Sequence, residues 1–331
     1  TVTGRCIAGN GLPLYSDLHK YNADDIARRF NVTAKHSIEK MAALYHDAFL
    51  TVSEITANEC KYLLGREVTH ITPNGFENDF VWSGDVFDQK RKEARKAMIS
   101  VAEACLEALK RLASCGTLER DILAYITVPA ANNGPRADLV EHLKDPSKAI
   151  DAAQWRFSTH YLENQQWDPV SQAIRGSVLE NENSKVKVIF VPSYLNSADG
   201  IFNKNYYEML VGMDLTAFPS YYEPWGYTPL ESIAFSVPTV TSNLSGFGLW
   251  AMKQADHAGV EVIRRDDNND TYAVEQLVDA ALRFIQLDDK QVEQVRRSAS
   301  EMSKLALWDK FFVHYERAYA EAMDNAVART S

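Results

Sequence analysis

The sequence has few cysteines, no long apolar run and no excess of positive charge. Its four cysteines are scattered, with no C-x-x-C pair and no histidine at metal-ligand spacing beside them. Neither a disulfide framework nor a cysteine-based metal site is therefore expected, and reduced thiols in the cytoplasm are predicted. No run of 18 apolar residues occurs, so no transmembrane helix and no membrane partner are expected.

Acidic residues outnumber basic ones, 45 to 35, which gives a net charge of −10. A chain this acidic repels nucleic-acid backbones, so nucleic acid is not an expected partner. Internal repeats and low-complexity linkers are also lacking. A length of 331 residues and a hydrophobic fraction of 46% instead indicate one large or two modest globular domains.

Short apolar runs alternate with segments of helical periodicity, which predicts βαβ units and an α/β fold with a parallel sheet. Ser53 and Gly65 are the predicted N-cap and stop of an early helix. Predicted strands cover Val68–Thr72, Asp121–Ala130, Lys185–Leu195, Leu215–Ser220 and Pro238–Asn243. Predicted helices cover 34–50, 53–65, 86–113, 206–212, 228–236, 272–287, 290–305 and 308–325.

The segment from Phe218 to Gly248 carries the densest signal for a ligand site. Its loop follows a strand, and ligands of open α/β folds bind at the carboxyl edge of the sheet. The loop is aromatic and contains Gly226, so it is expected to line a pocket. Thr228 as N-cap and Pro229 at the first helical position would open the next helix, whose N-terminus suits a phosphate.

Two acids in this segment, Glu223 and Glu231, are eight positions apart. One interpretation is that they address the two ends of a sugar nucleotide, the sugar and the ribose. The other is that Glu223 is a solvated loop residue and Glu231 only a favourable acid in the first turn of a helix. The residues alone leave both interpretations open.

Several motifs resemble those of a known family. SYYEPWGYTPLE is similar to the signature of the glycogen synthases of glycosyltransferase family three, and TSNLSGFG resembles their next motif. ITPNG resembles the interdomain turn, TVTGRCIAGN the end of the first domain, and TVSEITANEC a helix start. The similarity covers most of the chain and is loose between 131 and 182.

The resemblance implies a GT-B fold, with a Rossmann-like parallel sheet in the second domain and a partial first domain. Residues 1–75 would end the first domain and include the interdomain turn, 76–307 would form the donor-binding domain, and 308–331 a helix crossing back to the first domain. The implied activity is a retaining transfer of glucose from UDP-glucose to an α-1,4-glucan such as glycogen, in the cytoplasm, without metal or cofactor. ADP-glucose is the other donor considered, and a homo-oligomer is a further implication.

The resemblance also assigns roles to individual positions. Glu223 matches the active-site acid, and Arg5 an arginine that reaches the diphosphate from the first domain. Asn74 matches the asparagine on the acceptor and glucose side. The donor-binding positions are Tyr206 on the uracil, Trp225 and Gly226 around the sugar, Tyr227 and Thr228 at the diphosphate, and Glu231 on the ribose.

Three departures from the family pattern stand out. The chain is expected to begin inside the first domain. The motif G-R-x-E followed by N-K-G is not found, which suggests a segment missing near Leu106–Glu107. The helix that binds glucose 6-phosphate in eukaryotic members carries only Arg296 and Arg297 here, which favours a bacterial source without that regulation.

Two other classes of function remain open at this point. One is a different GT-B glucosyltransferase, such as an ADP-glucose starch-type synthase or a sucrose synthase-like enzyme, since E-x7-E is widely shared. The other is a non-catalytic fragment or glucan-binding module. The chain as given is itself expected to be inactive if half of the cleft lies outside it.

Overall fold

The computed structural model describes residues 1–105, 122–150, 157–175, 185–255 and 258–330. The predicted junction at Leu106–Glu107 and the end of the helix predicted over 86–113 lie outside these ranges. The chain divides into two compact units, one formed by Thr1–Val81 with Asp214–Ser331 and the other by Trp82–Met213. The predicted domain boundaries, which came from the family resemblance, stay a prediction.

The first unit begins with helices and a small parallel pair of strands, β1 with β2. Ser53 caps α4 by accepting a hydrogen bond from the backbone N–H of Thr56, and Gly65 ends the following π-helical turn Cys60–Leu64 at φ 76°. Both predicted signals are therefore confirmed. The elements are α1 (Val2–Gly9), α2 (Ala23–Arg29), α3 (Thr33–Tyr45), β1 (Leu50–Thr51), α4 (Glu54–Glu59) and β2 (His70–Ile71).

The second stretch of this unit carries a three-stranded parallel sheet in the order β7-β8-β9. Strand β8 is buried along its whole length, as predicted for a strand covered on both faces. The elements are β7 (Thr216–Phe218), α9 (Tyr227–Ala234), β8 (Thr239–Ser242), α10 (Gly246–Ala251), β9 (Val260–Ile263), α11 (Asp270–Ile285), α12 (Asp289–Ser303) and α13 (Trp308–Thr330).

The second unit holds a parallel pair, β3 with β6, and an antiparallel pair, β4 with β5. Its apolar core lies between α5 and strand β6, around Met98, Ile189 and Met209. The elements are α5 (Gly84–Cys105), β3 (Ile122–Ile126), β4 (Asn132–Pro135), α6 (Ala137–Lys144), β5 (His160–Leu162), α7 (Pro169–Ile174), β6 (Val186–Phe190) and α8 (Tyr206–Leu210).

The parallel strands and intervening helices confirm the predicted α/β class. The elements α1, α2 and β9 were not predicted, and neither were the four between 131 and 182, which are β4, α6, β5 and α7. The predicted strand over Val68–Thr72 is shorter than expected, because only His70 and Ile71 pair with β1. No helix in the described ranges combines the length and the apolar character needed to cross a membrane.

Candidate active site

The loop Tyr221–Gly226 leaves the carboxyl end of β7 and runs beside the start of α10. The backbone N–H of Gly246 donates to the carbonyl of Glu223 at 3.2 Å, and that of Phe247 donates to the carbonyl of Trp225 at 2.7 Å. The hydroxyl of Ser53 donates to the carbonyl of Pro224 at 2.7 Å. The backbone around Glu223 is thus held from two sides, at the sheet edge where ligands of open α/β folds bind.

The close approach at Gly246 explains a motif noted in the sequence. A Cβ at Gly246 would lie 2.4 Å from the carbonyl oxygen of Pro224 and 2.6 Å from Cβ of Ser53. Any larger residue would push the loop away from α10. Glycine at this position therefore sets how closely the Glu223 loop can pack.

The prediction that Thr228 caps the next helix is wrong. Gly226 is the N-cap of α9, in the left-handed region at φ 108°, so Tyr227 is the first helical residue and Pro229 the third. Pro229 is tolerated there because the first-turn N–H groups have no partner within the helix. In the described ranges no side chain caps this end. The N–H groups of Tyr227 and Thr228 therefore belong to the uncapped first turn.

Glu223 and Arg5, whose roles were both predicted from the family resemblance, line one cleft of about 630 Å³. Glu223 comes from the loop after β7, and Arg5 is an exposed residue of α1. Lys35 of α3 adds a second cation that the sequence analysis did not single out. The lining residues are Thr1, Val2, Arg5, Lys35, Ile38, Glu39, Tyr222, Glu223 and Pro224. The cleft therefore combines the side chains of two acids, Glu223 and Glu39, with those of two cations.

Burial raises the pKa of the Glu223 carboxyl above its ordinary value, and a hydrogen bond from the backbone of Trp225 opposes this shift in part. The ionised form is disfavoured because the carboxylate has lost part of its hydration. A carboxylate held in this way interacts more strongly with a nearby positive charge than one in bulk water. This environment suits an acid that faces a developing cation.

Tyr222, next to Glu223, is tied to a buried acid. Its hydroxyl lies 3.2 Å from Oε2 of Glu59, whose side chain is 1% exposed. The hydroxyl of Thr1 also donates to Oε2 of Glu59, at 3.1 Å. Burial, with the charge of Glu59, raises the pKa of Tyr222, so its hydroxyl stays protonated and can donate. Glu59 was not predicted as a site residue, because its sequence context carries no signal except its place in a helix.

The remaining predicted positions are more dispersed. Trp225 is 3% exposed and packs among Phe247, Trp250 and Phe311 in the core. In the described ranges no group accepts a hydrogen bond from its indole N–H. Tyr206 begins α8, in the other unit. The donor contacts of these two residues stay a prediction.

Tyr227, Thr228 and Glu231 share the first turns of α9, with Tyr227 44% exposed. Burial raises the pKa of Tyr227, and Tyr315 and Glu231 make smaller contributions in the same direction. The side chains of Tyr315 and Glu231 therefore both lie near the hydroxyl of Tyr227. Their roles at the diphosphate and the ribose stay predictions.

Asn74 lies in the turn that follows β2. The next residue, Gly75, approaches Trp308 so closely that a Cβ would lie 2.9 Å from Cα of Trp308. The hydroxyl of Tyr315 donates to the carbonyl of Thr72 at 3.2 Å. The turn is therefore fixed against the start of α13, while the predicted acceptor-side role of Asn74 is untested. Within the described ranges, no three His, Cys, Asp or Glu side chains converge as metal ligands.

The sequence model of the glycogen synthase family matches residues 1–92 and 152–330. The glycogen [starch] synthase of Dictyostelium discoideum is 27% identical, over 98% of this chain and 47% of its own length. Isoform 1 of the Saccharomyces cerevisiae enzyme is also 27% identical, over 100% of this chain and 61% of its own length. The chain thus spans about half to three fifths of the length of these two relatives.

Among solved structures, the catalytic domain of starch synthase IV from Arabidopsis thaliana, bound to ADP and acarbose, is similar with a TM-score of 0.48 and 13% identity. That similarity covers 86% of this chain and 58% of the other. The family match rests instead on sequence and covers most of the chain. Arg5 lies in the first matched range and Glu223 in the second. The chain belongs to the glycogen synthase family.

Proposed function

We propose that the protein is a retaining glucosyltransferase of GT-B fold that transfers glucose from UDP-glucose to the non-reducing end of an α-1,4-glucan. The observation that carries the proposal is the cleft that both Glu223 and Arg5 line. Family membership supports the reaction class. The relatives are longer than this chain, so the proposed activity is that of the full-length protein.

The reaction breaks the bond between the anomeric carbon of glucose and the diphosphate oxygen, and it forms a bond to the 4-hydroxyl oxygen of the acceptor. The acceptor proton passes to the leaving diphosphate on the same face of the sugar. Negative charge develops on the diphosphate, where the guanidinium of Arg5 and the first-turn N–H groups of Tyr227 and Thr228 would stabilise it.

Glu223 would stabilise the positive charge that develops on the sugar. A Cβ at Gly226 would lie 3.4 Å from Cγ of Glu223, so the acid is close to the start of α9, where the phosphate is proposed to bind. The two-carboxylate scheme of glycoside hydrolases does not apply, because Glu231 is proposed to bind the ribose. Tyr206, Trp225 and Asn74 complete the proposed donor and acceptor contacts.

The proposal carries over further properties from the family: a cytoplasmic location, a homo-oligomer, and turnover without metal or cofactor. The proposal also includes a bacterial source, because the helix that binds glucose 6-phosphate in eukaryotic members carries only Arg296 and Arg297 here. UDP-glucose is preferred over ADP-glucose because the surroundings of the two acids, P-W-G-Y-T-P and N-L-S-G-F-G, are those of glycogen synthases.

The test is a donor assay on the full-length protein with glycogen and either UDP-glucose or ADP-glucose. We expect faster incorporation from UDP-glucose, and a product that α-amylase degrades, which reports retention. Glu223→Gln should lose at least about 100-fold in kcat. The control Glu261→Gln, an exposed acid paired with Arg283 at 3.0 Å, should keep wild-type activity.

Each alternative has its own outcome. Faster turnover of ADP-glucose would reassign the donor. Binding of glycogen without turnover of either donor would indicate a glucan-binding module and would contradict the proposed enzyme. Wild-type activity in Glu223→Gln would remove that residue from the mechanism.

A further inference from the structure

Asp267, in the loop after β9, accepts hydrogen bonds from a part of the chain that is distant in sequence. Its Oδ1 accepts from the backbone N–H of Leu14 at 3.1 Å and of Tyr15 at 3.3 Å, and its Oδ2 accepts from that of Ser16 at 2.6 Å. The hydroxyl of Tyr221 also donates to Oδ1. One carboxylate therefore binds the segment 14–16 and the Glu223 loop together.

Tyr221 is held by other contacts as well. The hydroxyl of Tyr15 donates to the carbonyl of Tyr221 at 3.1 Å, and the two rings pack edge to face with centroids 5.7 Å apart. The guanidinium of Arg265 lies 5.5 Å from the ring centroid of Tyr221 and donates to the carbonyl of Pro219. The start of the loop is thus fixed on both its backbone and its ring.

The electrostatics agree with this geometry. Burial alone would raise the pKa of Asp267, but the hydrogen bonds from Ser16, Tyr221 and Tyr15 outweigh burial and hold the pKa below its usual value. Burial, and then the hydrogen bond to Asp267, raise the pKa of Tyr221 to about 12. At neutral pH the acid is charged and the phenol keeps the proton that it donates.

Asp267 thereby connects the two cleft residues proposed to act on the substrate. The segment 14–16 follows α1, which carries Arg5, and Tyr221 stands two residues before Glu223. We infer that Asp267 is a positioning residue that sets the helix of Arg5 relative to the loop of Glu223. This inference rests on the proposed function for its catalytic consequence, but not for its geometry.

The test compares Asp267→Asn and Asp267→Ala in the full-length protein with Asp266→Asn, an exposed acid of the same loop. Asparagine keeps one acceptor oxygen but loses the charge and the second acceptor, whereas alanine loses both acceptors, so Asp267→Asn should be the milder change. We expect kcat to fall about 10- to 100-fold, as for a small misplacement of reacting groups. KM should change less than about 3-fold.

A double-mutant cycle of Asp267 and Arg5, measured in kcat, distinguishes a positioning role of Asp267 from a general loss of stability. If Asp267 aims Arg5 at the site, Arg5→Ala should cost at least about 5-fold less in kcat in the Asp267→Ala background than in wild type. Additive effects of the two substitutions would overturn the inference. So would a kcat for Asp267→Ala that matches Asp266→Asn.

Amide hydrogen exchange gives a readout that needs no turnover. Peptides covering 12–16 and 219–226 should exchange at least about 10-fold faster in Asp267→Asn than in Asp266→Asn. Unchanged exchange would overturn the inference even in an active enzyme. If the wild-type protein turns over neither donor, the proposed function fails, and exchange alone decides whether Asp267 joins the two segments.

Discussion

At the scale of single residues, the burial of Glu223 has a direct consequence for pH dependence. Its pKa is raised, and it is proposed to act as a carboxylate, so activity should be lost as the pH falls through that raised pKa. The acid limb of kcat/KM should therefore lie above the value for an ordinary glutamate, about 4.3. A pH–rate profile of the full-length protein measures it.

The residual activity of Glu223→Gln serves as the control and should lack this acid limb. Because burial disfavours the carboxylate, the glutamine variant should melt at the wild-type temperature or above it at neutral pH. An acid limb that is unchanged in Glu223→Gln would assign it to another group.

Tyr222 offers a second prediction at this scale. Tyr222→Phe removes a donor from Glu59, a carboxylate that is 1% exposed. Thr1 still donates to Glu59, but the loss of a hydrogen bond to a buried charged group should lower the free energy of unfolding by about 1–3 kcal/mol. Urea unfolding would measure the loss, with Tyr272→Phe as the control because Tyr272 is 51% exposed. Equal stability of the two variants would show that the contact with Glu59 contributes nothing.

Residues that belong to a recognisable motif could be predicted from the sequence, whereas residues whose role depends on distant contacts could not. Glu223 and Arg5 were predicted, and the structure brings them to one cleft. Lys35 was missed because only the fold brings it to the cleft. Glu59 and Asp267 were missed because their partners are remote: Leu14 and Asp267, for example, are 253 positions apart. A single acid in a polar loop gives no local signal of such a partner.

At the scale of elements, α10 packs so closely on the Glu223 loop that position 246 should accept no residue larger than glycine. Gly246→Ala places a Cβ 2.4 Å from the carbonyl oxygen of Pro224, and the resulting strain should cost about 1–3 kcal/mol of unfolding free energy. Thermal melting would detect it. Gly9→Ala is the matched control, since nothing lies within 4 Å of a Cβ there. If both variants melt together, the loop is free to move.

Element boundaries followed local signals where these were strong. Ser53 and Gly65 bound their helix as predicted, because a cap and a left-handed glycine act within one turn. The start of α9 was misplaced because Thr-Pro is a common helix opening, whereas here Gly226 makes the turn two residues earlier. Strand β9 was not predicted because it lies at the edge of the sheet, where the exposed Glu261 interrupts its apolar run.

At the scale of the whole molecule, the last helix completes the core beneath the site loop. Phe311 of α13 is 4% exposed, with its ring 5.9 Å from that of Trp225 and 5.6 Å from that of Trp250. Phe311→Ala should therefore lower the free energy of unfolding by about 3–5 kcal/mol. Phe312→Ala, at a position 48% exposed, should cost far less. Denaturant unfolding of the two variants gives the comparison, and similar losses would refute a core role for Phe311.

The division of the chain in space could not be predicted from its sequence. The predicted boundaries came from the family resemblance and stay a prediction. The two compact units depend on which distant segments pack together: 214–331 packs with 1–81. Contacts of this kind are set by complementary surfaces and leave no trace in local composition or periodicity.

This arrangement bears on how the protein is made. The unit Trp82–Met213 is continuous, so all of it has been synthesised before residue 214 is added. The segment 1–81 leaves the ribosome earlier, yet its packing partners in 214–331 are synthesised only after the intervening unit. During translation, the hydrogen bonds of Tyr15 with Tyr221 and Asp267 can therefore form only after the intervening unit has been synthesised. The same holds for the cleft that Glu223 and Arg5 line.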